Sequence, residues 1–172
     1  MRFQGQVWRA HHPRWSFAPA SGEGAALHGG RFNRKGLPTL YTSLLRETAW
    51  LEAQQGFPFK AQPMTLCCYE VDCEAVLDLR HKADCRAAGV DPDDLTCAWE
   101  DLASMGREPP SWRLADQLGA SGYAGILAPS FAAGRSSRDF NAVFWRWSND
   151  RPHQVKVIDD YGRLPHDDKS WR

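Results

Sequence analysis

A chain of 172 residues is one domain by length, and a domain of this size hides roughly two-thirds of its unfolded surface, enough for a core without disulfide staples. The 21 Lys plus Arg balance 21 Asp plus Glu, so the formal net charge is zero and a nucleic-acid or membrane footprint spread over the whole surface is excluded. The 5 Cys are odd in number and form no Cys-x-x-Cys pair, and the 6 His lack metal-ligand spacing; these features predict reduced thiols, a cytoplasmic chain and no metal site.

In chain order, residues 6–10 (QVWRA) predict a short strand, and 11–24 a loop rich in Pro, Ser, Gly and aromatics. Residues 26–33 predict an extended stretch broken by Gly29-Gly30, then a turn at 36–38 and a strand at 39–42. Ser43 is the expected N-cap of a helix over 44–55 that Gly56 and Pro58 should end. Strands are expected at 64–71 and 75–79, with Cys67 and Cys68 acting as small hydrophobes in the first. One or two helices with a break at Pro92 should fill 81–106, and a short helix 112–118. A buried strand at 123–128 runs into Pro129-Ser130, a Gly, Ser and Arg loop covers 134–139, and strands follow at 142–147 and 154–158. The polar tail 163–172 is expected to be loose. No stretch reaches the roughly 18 apolar residues of a membrane span, and the N-terminus shows no signal peptide. Strands and helices are interspersed without a regular βαβ rhythm, which predicts a mixed α+β domain.

The chemistry concentrates in a few residues. Placed at about 100° per residue, Leu44, Leu45, Thr48, Ala49 and Leu51 share one arc of the helix, with Glu52 in its middle. An acid on a core-facing stripe is costly unless it is paired or lines a pocket. Glu52 therefore reads equally as a reactive carboxylate or as one half of a buried ion pair with Arg9 or Arg31. Gly29-Gly30-Arg31 reads either as an anion-gripping turn or as a β-bulge followed by a surface arginine. It is neither a Rossmann turn nor a P-loop. Arg9 lies on a strand face opposite Trp8, as a rim residue or a phosphate contact. Tyr41, Ser130 and Asn141 are further polar or aromatic candidates whose plain readings are core, strand end and turn. No nucleophile elbow surrounds Ser130. The 8 Trp are many, and the cluster Trp145-Arg146-Trp147 is either buried aromatic packing or a partner surface.

Taken together, Trp8-Arg9, Ser21-Gly22-Glu23-Gly24, Gly29-Gly30-Arg31-Phe32-Asn33, Gly36, Pro38, Leu40-Tyr41, Ala49, Glu52 and Pro129-Ser130 stand in the order in which they occur in the RES-domain toxins. That family is named for an Arg, a Glu and a Ser, and supplies the toxin halves of bacterial Xre–RES toxin–antitoxin pairs. The chain resembles it over residues 7–158, most specifically over 21–52. Many members carry Trp where this chain has Phe32, and residues 73–118 hold no family motif.

The resemblance implies an ADP-ribosyltransferase-like fold, similar to that of diphtheria toxin, with a split mixed β-sheet, surrounding helices and NAD as substrate in the cleft. It implies cleavage of the nicotinamide–ribose bond, with ADP-ribose passed to a protein such as phosphoribosyl-pyrophosphate synthetase, or hydrolysis or phosphorolysis of NAD alone. Carried over residue by residue, Arg9 and Arg31 hold the pyrophosphate and ribose, Tyr41 packs on the nicotinamide, and Glu52 stabilises the oxocarbenium. Ser130 orients the ligand, and Asn141 is the nearest match to an expected Asn after the serine. The implied partner is an Xre-family antitoxin that covers the NAD cleft in a hetero-oligomer; the neutral toxin would leave DNA contact to it. Two readings from other classes compete: a non-catalytic binding module, and an RNA-cleaving toxin, for which neither a basic stripe nor a His pair stands out.

Overall fold

The computed structural model describes residues 1–55 and 62–169, and the helix stop expected at Gly56 and Pro58 lies outside them. Among the described residues seven strands form one sheet: β1 (Phe3–His11), β2 (Leu40–Ser43), β3 (Thr65–Cys73), β4 (Val76–Asp78), β5 (Gly125–Pro129), β6 (Phe140–Phe144) and β7 (His153–Val157). Their order is β4-β5-β6-β2-β1-β3-β7, antiparallel throughout except for the parallel pair β4–β5. The sheet is mixed and split. β1 and β3 pair along their full length, from Phe3 opposite Cys73 to His11 opposite Thr65. β1 and β2 meet only where Trp8 faces Ser43. Beyond that single register pair the two halves diverge, and the space between them is a cleft.

Side-chain alternation explains how both faces of the sheet are filled. On β5, Ile126 and Ala128 point to one core cluster and Leu127 to the other; on β6, Val143 opposes Ala142 and Phe144 in the same way. The apolar run at 123–128 thus belongs to a strand buried on both sides. One cluster gathers Val7, Leu40, Tyr69, Val71, Phe144 and Val155. The other is covered by helices from the motif-free middle of the chain, α3 (Lys82–Ala87), α4 (Pro92–Thr96) and α6 (Pro110–Ala120), while α5 (Trp99–Ser104) between them buries no residue. α6 buries Ser111, Leu114, Ala115 and Leu118, the i, i+3, i+4, i+7 spacing that keeps one face inward. The helix break expected at Pro92 falls between α3 and α4, and the stretch 81–106 holds three helices where one or two were expected. Pro92 occupies the first turn of α4, where a missing N–H is harmless, and the Asp91 carboxylate accepts the Asp93 N–H as a cap.

Three further expectations change. Residues expected to be extended at 26–33 instead begin within a helix, α1 (Glu23–His28), because Ala25, Ala26 and Leu27 favour helix and Gly29, at φ 76°, stops it. The next helix, α2 (Arg46–Gln54), starts two residues late. Leu44 donates its N–H to Phe140 and Leu45 is extended, so Ser43 is the last residue of β2 and not an N-cap. The tail is not loose where it is described: the Asp159 carboxylate accepts the Arg163 and Leu164 N–H groups, and Leu164 packs on the core. No helix among the described residues is long and apolar enough to cross a membrane, and all five cysteines are free thiols.

Candidate active site

The cleft between the sheet halves has a volume of about 380 Å³, within the range of small-molecule sites. Arg9, Arg31, Tyr41, Glu52 and Asn141 all line it. Ser130 does not: it is fully buried behind Glu52. Its hydroxyl donates to Glu52 Oε1 at 2.6 Å, and Ala132 N–H donates to the same Ser130 oxygen at 3.2 Å. Asn141 Nδ2 also donates to Glu52 Oε1, at 2.5 Å, while Gln55 Nε2 donates to Oε2. Glu52 is therefore held by neutral donors, and the ion pair with Arg9 or Arg31 that its sequence position allowed does not form. α2 delivers it there because Thr48 and Ala49, one turn earlier, are buried against the sheet. Thr48 further ties α2 to the 134–139 loop by donating to Asp139 at 2.5 Å.

The two arginines come from different halves of the fold. Arg9 on β1 is opposite Cys67, one residue pair from Val7 and Tyr69 on the same face. Its Nη1 donates to the Pro19 and Ser21 carbonyls, each at 2.8 Å. Arg31 leaves the Gly-Gly turn and stacks over the Phe131 ring, 4.2 Å from its centroid. Its Nη1 donates to the Leu95 and Cys97 carbonyls at the end of α4, at 3.1 and 2.7 Å. Neither guanidinium forms an ion pair among the described residues. Burial lowers the pKa of both. An arginine nonetheless keeps its proton, so the cost of burial favours any anion that enters.

Tyr41 explains the Gly-Gly-Arg turn. Its hydroxyl accepts the Phe32 N–H at 2.9 Å and donates to Asn33 Oδ1 at 2.8 Å. Burial raises its pKa, which keeps it a donor. The Asn33 amide in turn donates to the carbonyls of Ala25, Arg34 and Leu37. Tyr41 and Asn33 lie so close to Gly30 that a Cβ there would stand 2.6 Å from the Tyr41 oxygen and 2.7 Å from Asn33 Oδ1. Gly30 is glycine for space, and Gly29 for its positive φ. Trp145 and Trp147 are half-buried, and each donates its indole N–H to a backbone carbonyl, of Phe32 and Ala20 respectively, at 2.9 Å. They brace the loops that frame the cleft.

Sequence reasoning missed Ser43, Gln55, Trp99 and Phe131, all in or beside the cleft. The signal for Ser43 is its register position directly opposite Asn141, legible only once β2 and β6 are aligned. Trp99 and Phe131 carry no local signal, since aromatics of this kind are usually core. Among the described residues, no three His, Cys, Asp or Glu side chains converge to hold a metal.

No match to a curated protein sequence is found. In three dimensions the chain is similar to a chain in the crystal structure of the M. tuberculosis MbcT–MbcA toxin–antitoxin complex, with a TM-score of 0.66 and 20% sequence identity. The likeness covers 92% of this chain and 84% of that one, and at this identity it establishes the fold, the ADP-ribosyltransferase-like α+β architecture expected from the sequence. The RES domain family model matches residues 6–167, nearly the entire sequence, and the chain belongs to the RES-domain family.

Proposed function

We propose that this protein is the toxin half of a toxin–antitoxin pair, which cleaves the nicotinamide–ribose bond of NAD and transfers ADP-ribose to a cellular protein. The observation that carries this reading is Glu52: a carboxylate fixed by Ser130 and Asn141, in a cleft with two guanidinium groups that lack counter-anions among the described residues. A pyrophosphate supplies the missing anion for Arg9 and Arg31. The Tyr41 ring, held by its hydroxyl, offers a face for the nicotinamide. Glu52 accepts a hydrogen bond from the ribose 2′-hydroxyl and stabilises positive charge at C1′ as the C1′–N bond breaks. The electron pair of that bond leaves with neutral nicotinamide. A nucleophile then bonds to C1′ and gives its proton to solvent. Ser130 acts on Glu52 in this scheme and does not touch the ligand.

Family membership supports the toxin assignment, and the toxin–antitoxin complex among its structural neighbours supports an antitoxin partner, which we take to be of the Xre type. Five free thiols fit action in the cytoplasm. The same cleft would serve water or phosphate as nucleophile, which would consume NAD and modify no protein. Purified protein incubated with radiolabelled NAD, with and without cell lysate, separates the outcomes. A labelled protein band that Glu52→Gln abolishes is the expected result. Free ADP-ribose or its phosphate without a band points to NAD depletion. No turnover of NAD in any arm would refute the reading.

A further inference from the structure

The geometry points to Ser43 as a positioning residue that sets the orientation of the Asn141 amide, and through it the placement of Glu52; this rests on the NAD-cleaving reading of the site. A carboxylate without a proton accepts hydrogen bonds only, so the side of Asn141 that faces Glu52 must be its NH2. That leaves Asn141 Oδ1 pointing away, in need of a donor. Ser43 Oγ lies 2.7 Å from it, in a side chain that is 2% exposed. The donation therefore runs one way, from Ser43 to Asn141 to Glu52, and meets the donation from Ser130 on the same oxygen. With Oε1 saturated, Oε2 is left for the ligand, on which Gln55 now donates.

An amide has two nearly isosteric orientations, and the hydrogen-bond network alone selects between them. Without the Ser43 hydroxyl, Oδ1 loses its donor and the selection weakens. A flipped Asn141 would turn its oxygen on the Glu52 carboxylate and push it off its seat. Ser43 can hold this place because it is locked on two sides: its backbone pairs with Asn141 on β6 and with Trp8 on β1, at the one point where the sheet halves meet.

The test is a double-mutant cycle on NAD turnover with Ser43→Ala, Asn141→Ala and the pair, each checked for folding by thermal melting. Glu52→Gln serves as the inactive reference. Ser43→Ala should lower kcat by about 10- to 100-fold with KM little changed, the usual size for groups that orient a reactive one. In the Asn141→Ala background it should cost nothing more, because Ser43 acts through Asn141. A wild-type kcat in Ser43→Ala, or a loss that adds to that of Asn141→Ala, overturns the inference and leaves the NAD reading intact. A readout free of turnover is the pair of Asn141 side-chain amide signals in a nitrogen-15 spectrum. Ser43→Ala should broaden them and speed their exchange with solvent; unchanged signals overturn the inference even if NAD proves not to be the substrate.

Discussion

Replacing Gly30 by Ala tests whether the turn is built around Tyr41. Gly30 does not lie in the positive-φ region, so alanine meets no backbone penalty and the effect is steric. The added methyl would stand 2.6 Å from the Tyr41 oxygen, 2.7 Å from Asn33 Oδ1 and 3.0 Å from Tyr41 Cζ. Asn33 cannot yield without straining three hydrogen bonds to carbonyls, so Tyr41 must move and release Phe32 N–H and Asn33. Two lost hydrogen bonds at about 1 kcal/mol each, with some overpacking strain, give a destabilisation of roughly 3 kcal/mol. At 2–4 °C per kcal/mol for chains of this size, the melting temperature should fall by about 6–12 °C, measured by circular dichroism. In a Tyr41→Phe background the nearest clash is gone, and the penalty of Gly30→Ala should shrink by about 1 kcal/mol or more. A Gly30→Ala protein melting within roughly 2 °C of wild type would refute the argument that Tyr41 and Asn33 dictate glycine here.

Glu52→Gln should lower NAD turnover by about 10²–10³-fold, the typical loss for a transition-state electrostatic group, in a protein that melts as wild type does; retained turnover sinks its assigned role. Arg31→Ala should raise KM for NAD by about 10- to 100-fold, the equivalent of a charge-assisted hydrogen bond, and an unchanged KM in a folded variant counts against the phosphate contact. Asp139 carries a pH signature. The Thr48 hydroxyl, and after it the Ser136 N–H, hold its carboxyl below the ordinary range. Its folded pKa is depressed, so its stabilisation is complete above the unfolded value of about 4 and is lost as pH falls through the lower folded value. Urea unfolding across that acid range should be flatter for Asp139→Asn than for wild type, and an identical slope would show that the Thr48 link contributes nothing.

The periodic part of the chain was legible from sequence. The alternating or apolar runs at 64–71, 123–128 and 142–147 became β3, β5 and β6, shifted by a few residues. Glu52 stood out because an acid among apolar helix positions is anomalous wherever the helix sits. Boundaries were harder. Ser43 looks like a helix cap in sequence because the preference of serine for caps is local, whereas the next N–H, that of Leu44, donates to the Phe140 carbonyl almost a hundred residues away, and Leu45 is extended.

The sequence by itself determined the mixed α+β class, the cluster of candidate groups on β1, the glycine turn and α2, and the resemblance that the RES family match makes secure, because these depend on local pattern and residue order. Only the tertiary structure decided what each group touches. Glu52 could have met Arg9 or Arg31, but the seam between the sheet halves keeps both arginines for the cleft and sends Ser130 and Asn141 to the carboxylate. Such choices follow from strand register and from where a split sheet opens. Both are set by the simultaneous packing of residues far apart in the chain, and no local stretch encodes them.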